Sequence, residues 1–293
     1  MNLAAIDIGS NAARLLICSV FVNDKGKPEF NKINLVRIPL RLGFDVFEKG
    51  EIGDDRVEML IQTMKAYRHL MKVYEVKDFR ACATSAMRDA KNGKAIIKKV
   101  KEETGINIEI LSGDKEASMI NQTHIAEMLD KFHSYLYVDV GGGSTELTFF
   151  DDGKMKYRES FNIGTIRLLK GQVEDSSWDT MRDHLKQNIK SVLPITAIGS
   201  GGNINKIFSL SKKKEGKPLS LQLLKDFHKE LSNQSIHDLI SVYKLKEDRA
   251  DVIVPALLVY MNVMRWAGIT EIYVPKIGLA DGLIQTLYDE IKK

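Results

Sequence analysis

The sequence predicts an α/β protein made of two structurally related halves, and three observations carry that prediction. An apolar run ends in an aspartate and a glycine, Leu3-Ala-Ala-Ile-Asp-Ile-Gly9, and a second apolar run over residues 14–21 follows at once. The pattern returns at Tyr135-Leu-Tyr-Val-Asp-Val-Gly141, again with an apolar run behind it, to Phe150. Between and after these hairpins lie stretches with apolar residues at helical spacing, so each half packs helices around a sheet and a cleft is expected between the halves.

Taken in order, the Gly-Ser-Asn turn after Asp7 joins two strands into a hairpin. Val57, Leu60, Ile61, Met64, Tyr67, Met71 and Tyr74 mark one face of an amphipathic helix. Residues 79–83 read as a strand, 95–103 as a helix closed by Gly105, and 106–111 as another strand. Ser112-Gly-Asp114 signals the start of a helix over 115–129. In the second half, residues 154–161 form a strand and 166–171 and 178–193 are helical. Ile195-Thr-Ala-Ile198 is a strand feeding a glycine turn, 199–202, before a helix. Residues 211–218 are a charged, solvated connector. Helices from about 221, 236 and 248, a strand over 271–274 and a terminal helix from 279 complete the chain.

At 293 residues the chain has room for two domains, and 44% hydrophobic with 28% charged residues is a globular composition. General disorder, a collagen-like chain and a disulfide scaffold are excluded. A net charge of +4 does not point to nucleic acid, but it suits an anionic substrate if focused in a cleft. Cys18 and Cys82 both sit in apolar segments, as buried thiols of a reduced compartment do. No secretory leader is evident. The longest uncharged apolar stretch, residues 252–264, contains Pro255 and Asn262 and is shorter than the roughly 18 residues of a membrane span. A cytoplasmic protein without membrane or nucleic-acid partners is expected.

Two Asp-glycine turns at strand ends suggest phosphate chemistry. Glycine lets backbone approach a ligand and adopt positive φ, so successive N–H groups can converge on one anion. An aspartate at the strand end can hold Mg²⁺, usually through water. Paired turns make a clamp for linked phosphates; a single one could be only a hairpin. Glu116 falls in the first turn of a predicted helix, where the dipole favours a carboxylate. That position serves stability as readily as chemistry. Glu146 lies two residues beyond Ser144, so strand alternation places both on one face, either toward a ligand or as a solvated edge. Arg88 follows a strand end and could grip a phosphate in bidentate fashion, or be a surface residue. The six histidines show no metal-ligand spacing, and no serine-hydrolase or P-loop motif is present.

Six motifs in order give the chain a family resemblance. They are Ala4-Ala-Ile-Asp-Ile-Gly-Ser-Asn11 with Arg14, Ala83-Thr-Ser-Ala-Met-Arg88, Leu111-Ser-Gly-Asp-Lys-Glu-Ala117, Val138-Asp-Val-Gly-Gly-Gly-Ser-Thr-Glu-Leu147, Ile163-Gly-Thr-Ile-Arg-Leu168 and Ile198-Gly-Ser-Gly-Gly202. Together they resemble the exopolyphosphatase/guanosine pentaphosphate phosphohydrolase (Ppx/GppA) family over nearly the whole chain, to Gly278-Leu-Ala-Asp-Gly-Leu283. The first and fourth alone suggest only the wider actin-like ATPase superfamily; the Glu116 segment makes the resemblance specific.

The resemblance implies an actin/Hsp70/sugar-kinase-like fold of two ribonuclease-H-like domains, residues 1–124 and 125–293, with the active site in the cleft. The helix at 280–293 would pack back on the first domain. It implies Mg²⁺-dependent hydrolysis of terminal phosphoanhydrides, with Glu116 as the catalytic glutamate and Asp7 and Asp139 associated with metal. Glu146 would help place metal or water. Gly9, Ser10 and Asn11, the turn Gly141, Gly142, Gly143 and Ser144, and Gly201 with Gly202 would cradle phosphate. Arg88 and Arg14 would contact it. A homodimer is the expected assembly.

Four positions depart from the family pattern: Lys115 for a first glutamate, Ala12 for serine, Ala280 for arginine and Asn203 for threonine. None removes the expected base or metal aspartates, and Lys115 and Ala280 bear on substrate choice more than on activity. The length matches the family's short type, so exopolyphosphatase action on short inorganic polyphosphate is the first expectation. Guanosine pentaphosphate hydrolysis is the alternative and a non-catalytic polyphosphate or nucleotide sensor a further one. A sugar or acetate kinase would share the fold, but the Glu116 segment argues against it.

Overall fold

A computed structural model describes residues 1–113, 115–116, 132–275 and 278–292. The expected helix over 115–129 lies, beyond residues 115 and 116, outside them. Strands and helices are numbered below among the described elements. The chain divides into two compact units, Met1–Thr123 with Gly278–Lys293, and His124–Ile277.

The first unit opens with β1 (Asn2–Ile8) and β2 (Ala13–Val22), followed by β3 (Pro28–Ile38). Helices α1 (Leu42–Lys49) and α2 (Asp54–Val73) come next, then β4 (Asp78–Ala83) and a five-residue helix, α3 (Ser85–Asp89). Helix α4 (Gly93–Thr104), closed by left-handed Gly105, and β5 (Ile108–Ile110) follow. The sheet order is β3-β2-β1-β4-β5, with β1 antiparallel to β2 and parallel to β4. From Leu3 onward β1 is buried and, Asp7 apart, holds only alanine, leucine and isoleucine, as a central strand covered on both faces must. The sequence reading had no strand over 28–38 and no helix over 42–49. β3 is an edge strand, alternately exposed, and its Asn, Lys and Glu residues dilute the apolar signal. α1 has just eight residues, too few to establish a period.

The second unit repeats this plan. β6 (Ser134–Val140), β7 (Thr145–Asp151) and β8 (Lys154–Phe161) form a meander; α5 (Thr165–Leu169) and α6 (Asp175–Asn188) lead to β9 (Ile195–Ser200) and α7 (Gly202–Leu210). β10 (Leu219–Ser220), α8 (Leu221–Ser232), α9 (Ile236–Ser241), α10 (Glu247–Ala250), α11 (Ile253–Trp266) and β11 (Glu271–Tyr273) complete it. Its order, β10-β11-β9-β6-β7-β8, places β6, β7, β8, β9 and β11 where β1, β2, β3, β4 and β5 stand in the first unit. Both sheets therefore have the ribonuclease-H-like plan: an antiparallel three-strand meander extended by parallel strands through helical crossovers. The actin/Hsp70-like two-domain fold follows from that duplication.

The apolar stretch over 252–264 becomes α11. Val259, Tyr260, Val263 and Met264 of this helix lie in the core of the second unit, and Pro255 sits in its first turn, where a missing N–H costs nothing. Among the described residues no helix is long and apolar enough to cross a membrane. The last helix, α12 (Leu279–Ile291), packs on β1, β2 and β4 of the first unit through a buried face that includes Leu283, Ile284 and Leu287.

Candidate functional site

The two hairpins bend in the same way. In the first, the Gly9 N–H donates to the Ala12 carbonyl at 3.0 Å; in the second, the Gly141 N–H donates to the Ser144 carbonyl at 2.9 Å. Strand pairing then aligns Asp7 with Arg14 and Asp139 with Glu146. The register continues outward in both sheets. On one side Arg14 faces Arg37 and Glu146 faces Ser160; on the other Asp7 faces Cys82 and Asp139 faces Ser200. Directly paired residues project to one face of a sheet, so each unit carries a transverse row of side chains beside its turn. In the first unit the row reads Cys82, Asp7, Arg14, Arg37; in the second it reads Ser200, Asp139, Glu146, Ser160.

These rows differ in charge. Asp7 is 4% exposed and pairs with Arg14 Nη1 at 2.9 Å through its Oδ2. Burial pushes its carboxyl above its ordinary value, and Arg14 opposes that shift. With Arg37 alongside, one acid stands beside two guanidiniums, a composition for binding an anion. The second row carries two carboxylates and two hydroxyls. Glu146, 3% exposed, accepts hydrogen bonds on Oε1 from Ser144 Oγ at 2.6 Å and from Ser160 Oγ at 3.0 Å. Ser144 and Glu146 thus share a face, as strand alternation requires.

The remaining first-unit candidates gather around the same strand ends. Ser10 Oγ is 2.8 Å from Ser85 Oγ at the start of α3. The Arg41 N–H donates to the Asn11 carbonyl and the Gly43 N–H to the Ser10 carbonyl, both at 2.8 Å, so the segment entering α1 braces the turn. Arg41 holds that corner in a left-handed conformation, φ 53°. Arg88 on α3 donates from Nη1 to the Leu111 carbonyl at 2.9 Å, just ahead of Glu116. Ser112 caps the turn that carries Glu116: its Oγ accepts from the Lys115 N–H at 3.3 Å and its carbonyl from the Glu116 N–H at 2.9 Å. Glu116 is 9% exposed. Lys115 instead points outward and pairs with Glu109 at 3.3 Å, and Ala280 is buried in the first turn of α12.

In the second unit the turn glycines work differently from expectation. Gly201 has a positive φ, 112°; Gly9, Gly141, Gly142, Gly143 and Gly202 do not. A Cβ on Gly9 would make only an ordinary contact, 3.5 Å from the Ala12 carbonyl, and one on Gly141 a tight one, 3.1 Å from the Ser144 carbonyl; around the second turn the strictest demand falls on Gly164, just before α5. A Cβ on Gly164 would come within 2.4–2.5 Å of the Gly142 and Gly143 backbone. The N–H groups of Thr165 and Ile166 donate to the Gly141 and Gly142 carbonyls at 3.0 and 2.8 Å, and Arg167 Nε to the Gly143 carbonyl at 2.7 Å. With these carbonyls engaged from outside, the turn is held in one shape. The Gly201 turn is braced likewise: Arg249 Nη1 donates to the Gly202 carbonyl at 2.8 Å, and the buried Tyr260 hydroxyl to the Ser200 carbonyl. Burial, then the nearby Asp139 charge, raises the Tyr260 phenol well above its ordinary value, so it stays a donor. Gly164, Arg167, Arg249 and Tyr260 had no role in the sequence reading. Gly164 and Arg167 stood inside a quoted motif; Arg249 and Tyr260 come from helices about 50 residues downstream and carried no local signal.

The donor chemistry fits a hard divalent cation. Asp139 and Glu146 are paired carboxylates flanked by hydroxyls, with no imidazole or thiolate in their row. Mg²⁺ typically takes one or two protein carboxylates and keeps several waters. Among the described residues no group of three or more His, Cys, Asp or Glu side chains forms a protein-only metal cage. Cys82 lies in the first row, but burial raises its thiol to about 12, and burial raises Cys18 to about 11, so both are inert.

A model of the Ppx/GppA phosphatase family matches residues 20–291. The chain belongs to that family. It is 29% identical to a bifunctional 3-dehydroquinate synthase/phosphatase of Fusobacterium nucleatum, with 90% of this chain and 43% of that protein covered. It is 28% identical to exopolyphosphatase 1 of Mycobacterium bovis, over 60% of this chain and 50% of the relative. The chain thus spans about half the length of these curated relatives. In fold it is similar to a crystal structure of an exopolyphosphatase from Cytophaga hutchinsonii, with TM-score 0.85, 24% identity, and 99% and 98% of the two chains covered. In this Ppx/GppA chain the first unit carries one hairpin, its row and the Glu116 turn, and the second unit carries the other hairpin and row.

Proposed function

We propose that this Ppx/GppA chain is a phosphoanhydride hydrolase that releases orthophosphate from the end of short inorganic polyphosphate, with Mg²⁺ as cofactor. The observation that carries the reading is the contrast between the equivalent rows: Asp7 with Arg14 and Arg37 in one unit, Asp139 with Glu146 in the other. A phosphoanhydride needs both, cationic groups for its oxygens and carboxylates for metal and water.

Asp7, Asp139 and Glu146 are the residues that would hold Mg²⁺, which when bound neutralises phosphate charge. Arg14 and Arg88 contact phosphate oxygens, and backbone N–H groups of the two turns and of Gly201–Gly202 orient the terminal group. Glu116 accepts a proton from water as its oxygen bonds to the terminal phosphorus. The bridging P–O bond breaks, leaving orthophosphate and a chain one unit shorter. Positioning and charge neutralisation supply most of the rate, because phosphoryl transfer leaves little covalent work to the protein. Two buried free thiols fit a reducing cytoplasm.

The test is phosphate release from tripolyphosphate, long polyphosphate and guanosine pentaphosphate in parallel, with Mg²⁺ or with EDTA. Fastest release from tripolyphosphate, abolished by EDTA, is expected. Preference for guanosine pentaphosphate would move the substrate to the nucleotide, and binding without release would make the chain a sensor.

A further inference from the structure

Ser160 lies outside every motif discussed above, yet it completes the second unit's row. It sits on β8, fourteen residues beyond Glu146 and directly opposite it in register. Its hydroxyl reaches Glu146 Oε1 at 3.0 Å, the same oxygen that takes the Ser144 hydroxyl at 2.6 Å. Two donors, one in the turn ahead of β7 and one on β8, converge on one oxygen of a carboxylate only 3% exposed and define the carboxylate plane. The second donor also fixes the direction in which Oε2 points. At the equivalent place in the first unit stands Arg37, facing Arg14, so the hydroxyl is not a requirement of this sheet architecture. It belongs to the row that carries the acids.

We propose that Ser160 is the positioning residue of Glu146: it locks the carboxylate in the orientation that receives the metal ion and its water. The inference rests on the hydrolase reading above only in the role given to Glu146. Partners of this outer kind, when removed, typically cost about 10–100-fold in metal affinity or activity. A hydroxyl that merely braced β8 against β7 would cost stability and leave metal affinity alone.

The experiment compares wild type, Ser160→Ala and Ser160→Thr, with thermal melting as the check on folding. Mg²⁺ affinity is measured by calorimetry without substrate, and kcat and KM are measured for tripolyphosphate. The expected result is a Mg²⁺ affinity and a kcat both about 10-fold or more lower in Ser160→Ala, with KM within a factor of about three. Ser160→Thr, which keeps the hydroxyl on a β-compatible side chain, restores most of both. Unchanged Mg²⁺ affinity in Ser160→Ala overturns the proposal, as does failure of Ser160→Thr to recover while its melting matches wild type. A wild-type chain that binds Mg²⁺ but releases no phosphate overturns the hydrolase reading alone, and the calorimetry still decides Ser160. A wild-type chain that binds no Mg²⁺ overturns both.

Discussion

Asp7 shows at the residue scale how a buried acid costs the fold. Its carboxyl is buried at the end of β1 and raised above its ordinary value, with Arg14 offsetting only part of the desolvation. Below the ordinary carboxylate range it is protonated in both folded and unfolded chains and has no effect on stability. As pH rises past the unfolded value the unfolded chain ionises first, so Asp7 subtracts stability, fully so above the raised folded value. Asp7→Asn is therefore expected to melt higher than wild type at neutral pH in EDTA, with the difference shrinking toward acid pH, while phosphate release is lost. Melting curves across pH check the first outcome; a mutant less stable than wild type at neutral pH would contradict it. Glu116→Gln should lower kcat by about 10²–10⁴-fold, the usual worth of a general base, with tripolyphosphate binding retained. Single-turnover kinetics and equilibrium binding separate the two.

Among the elements, the second hairpin is shaped from outside itself. Gly164 lies against Gly142 and Gly143, and α5 grips their carbonyls through its first N–H groups. Gly164→Ala should push that turn out of shape at a cost of about 1–3 kcal/mol, as overpacking does, and reduce activity more than any substitution at neighbouring Asn162. Urea unfolding paired with turnover measures both. A helix cap gives the ordinary scale for comparison: Ser220 Oγ accepts from the Leu223 N–H at 3.2 Å at the start of α8, and Ser220→Ala should cost about 1 kcal/mol with activity unchanged.

For the whole molecule, the first unit is discontinuous. Its central strands β1 and β4 are covered by α12, which arrives from the far end of the chain. Removing residues 279–293 would expose the apolar faces that Leu283, Ile284 and Leu287 bury. Hydrogen exchange should then show loss of protection in β1, β2 and β4 with β6, β7 and β9 protected as before, because the second unit runs unbroken from residue 124 to 277. Equal loss in both sheets would mean that the two units do not unfold separately.

The sequence by itself determined the duplicated hairpins, with Asp7 and Asp139 near the ends of their first strands and Glu146 on the strand after the second turn. These are local patterns: a strand has period two, a turn needs small residues, and both are written in consecutive residues. β3 and α1 escaped because an edge strand and a two-turn helix have weak periodicity. Only the tertiary structure decided what fixes the acids and the turns. Ser160 meets Glu146 through strand pairing, Tyr260 and Arg249 reach the Gly201 turn from helices far along the chain, and Gly164 is required by a backbone it does not precede in a shared element. Such contacts depend on register and on which elements pack together, and these are set by burying a common core rather than by any neighbouring residues.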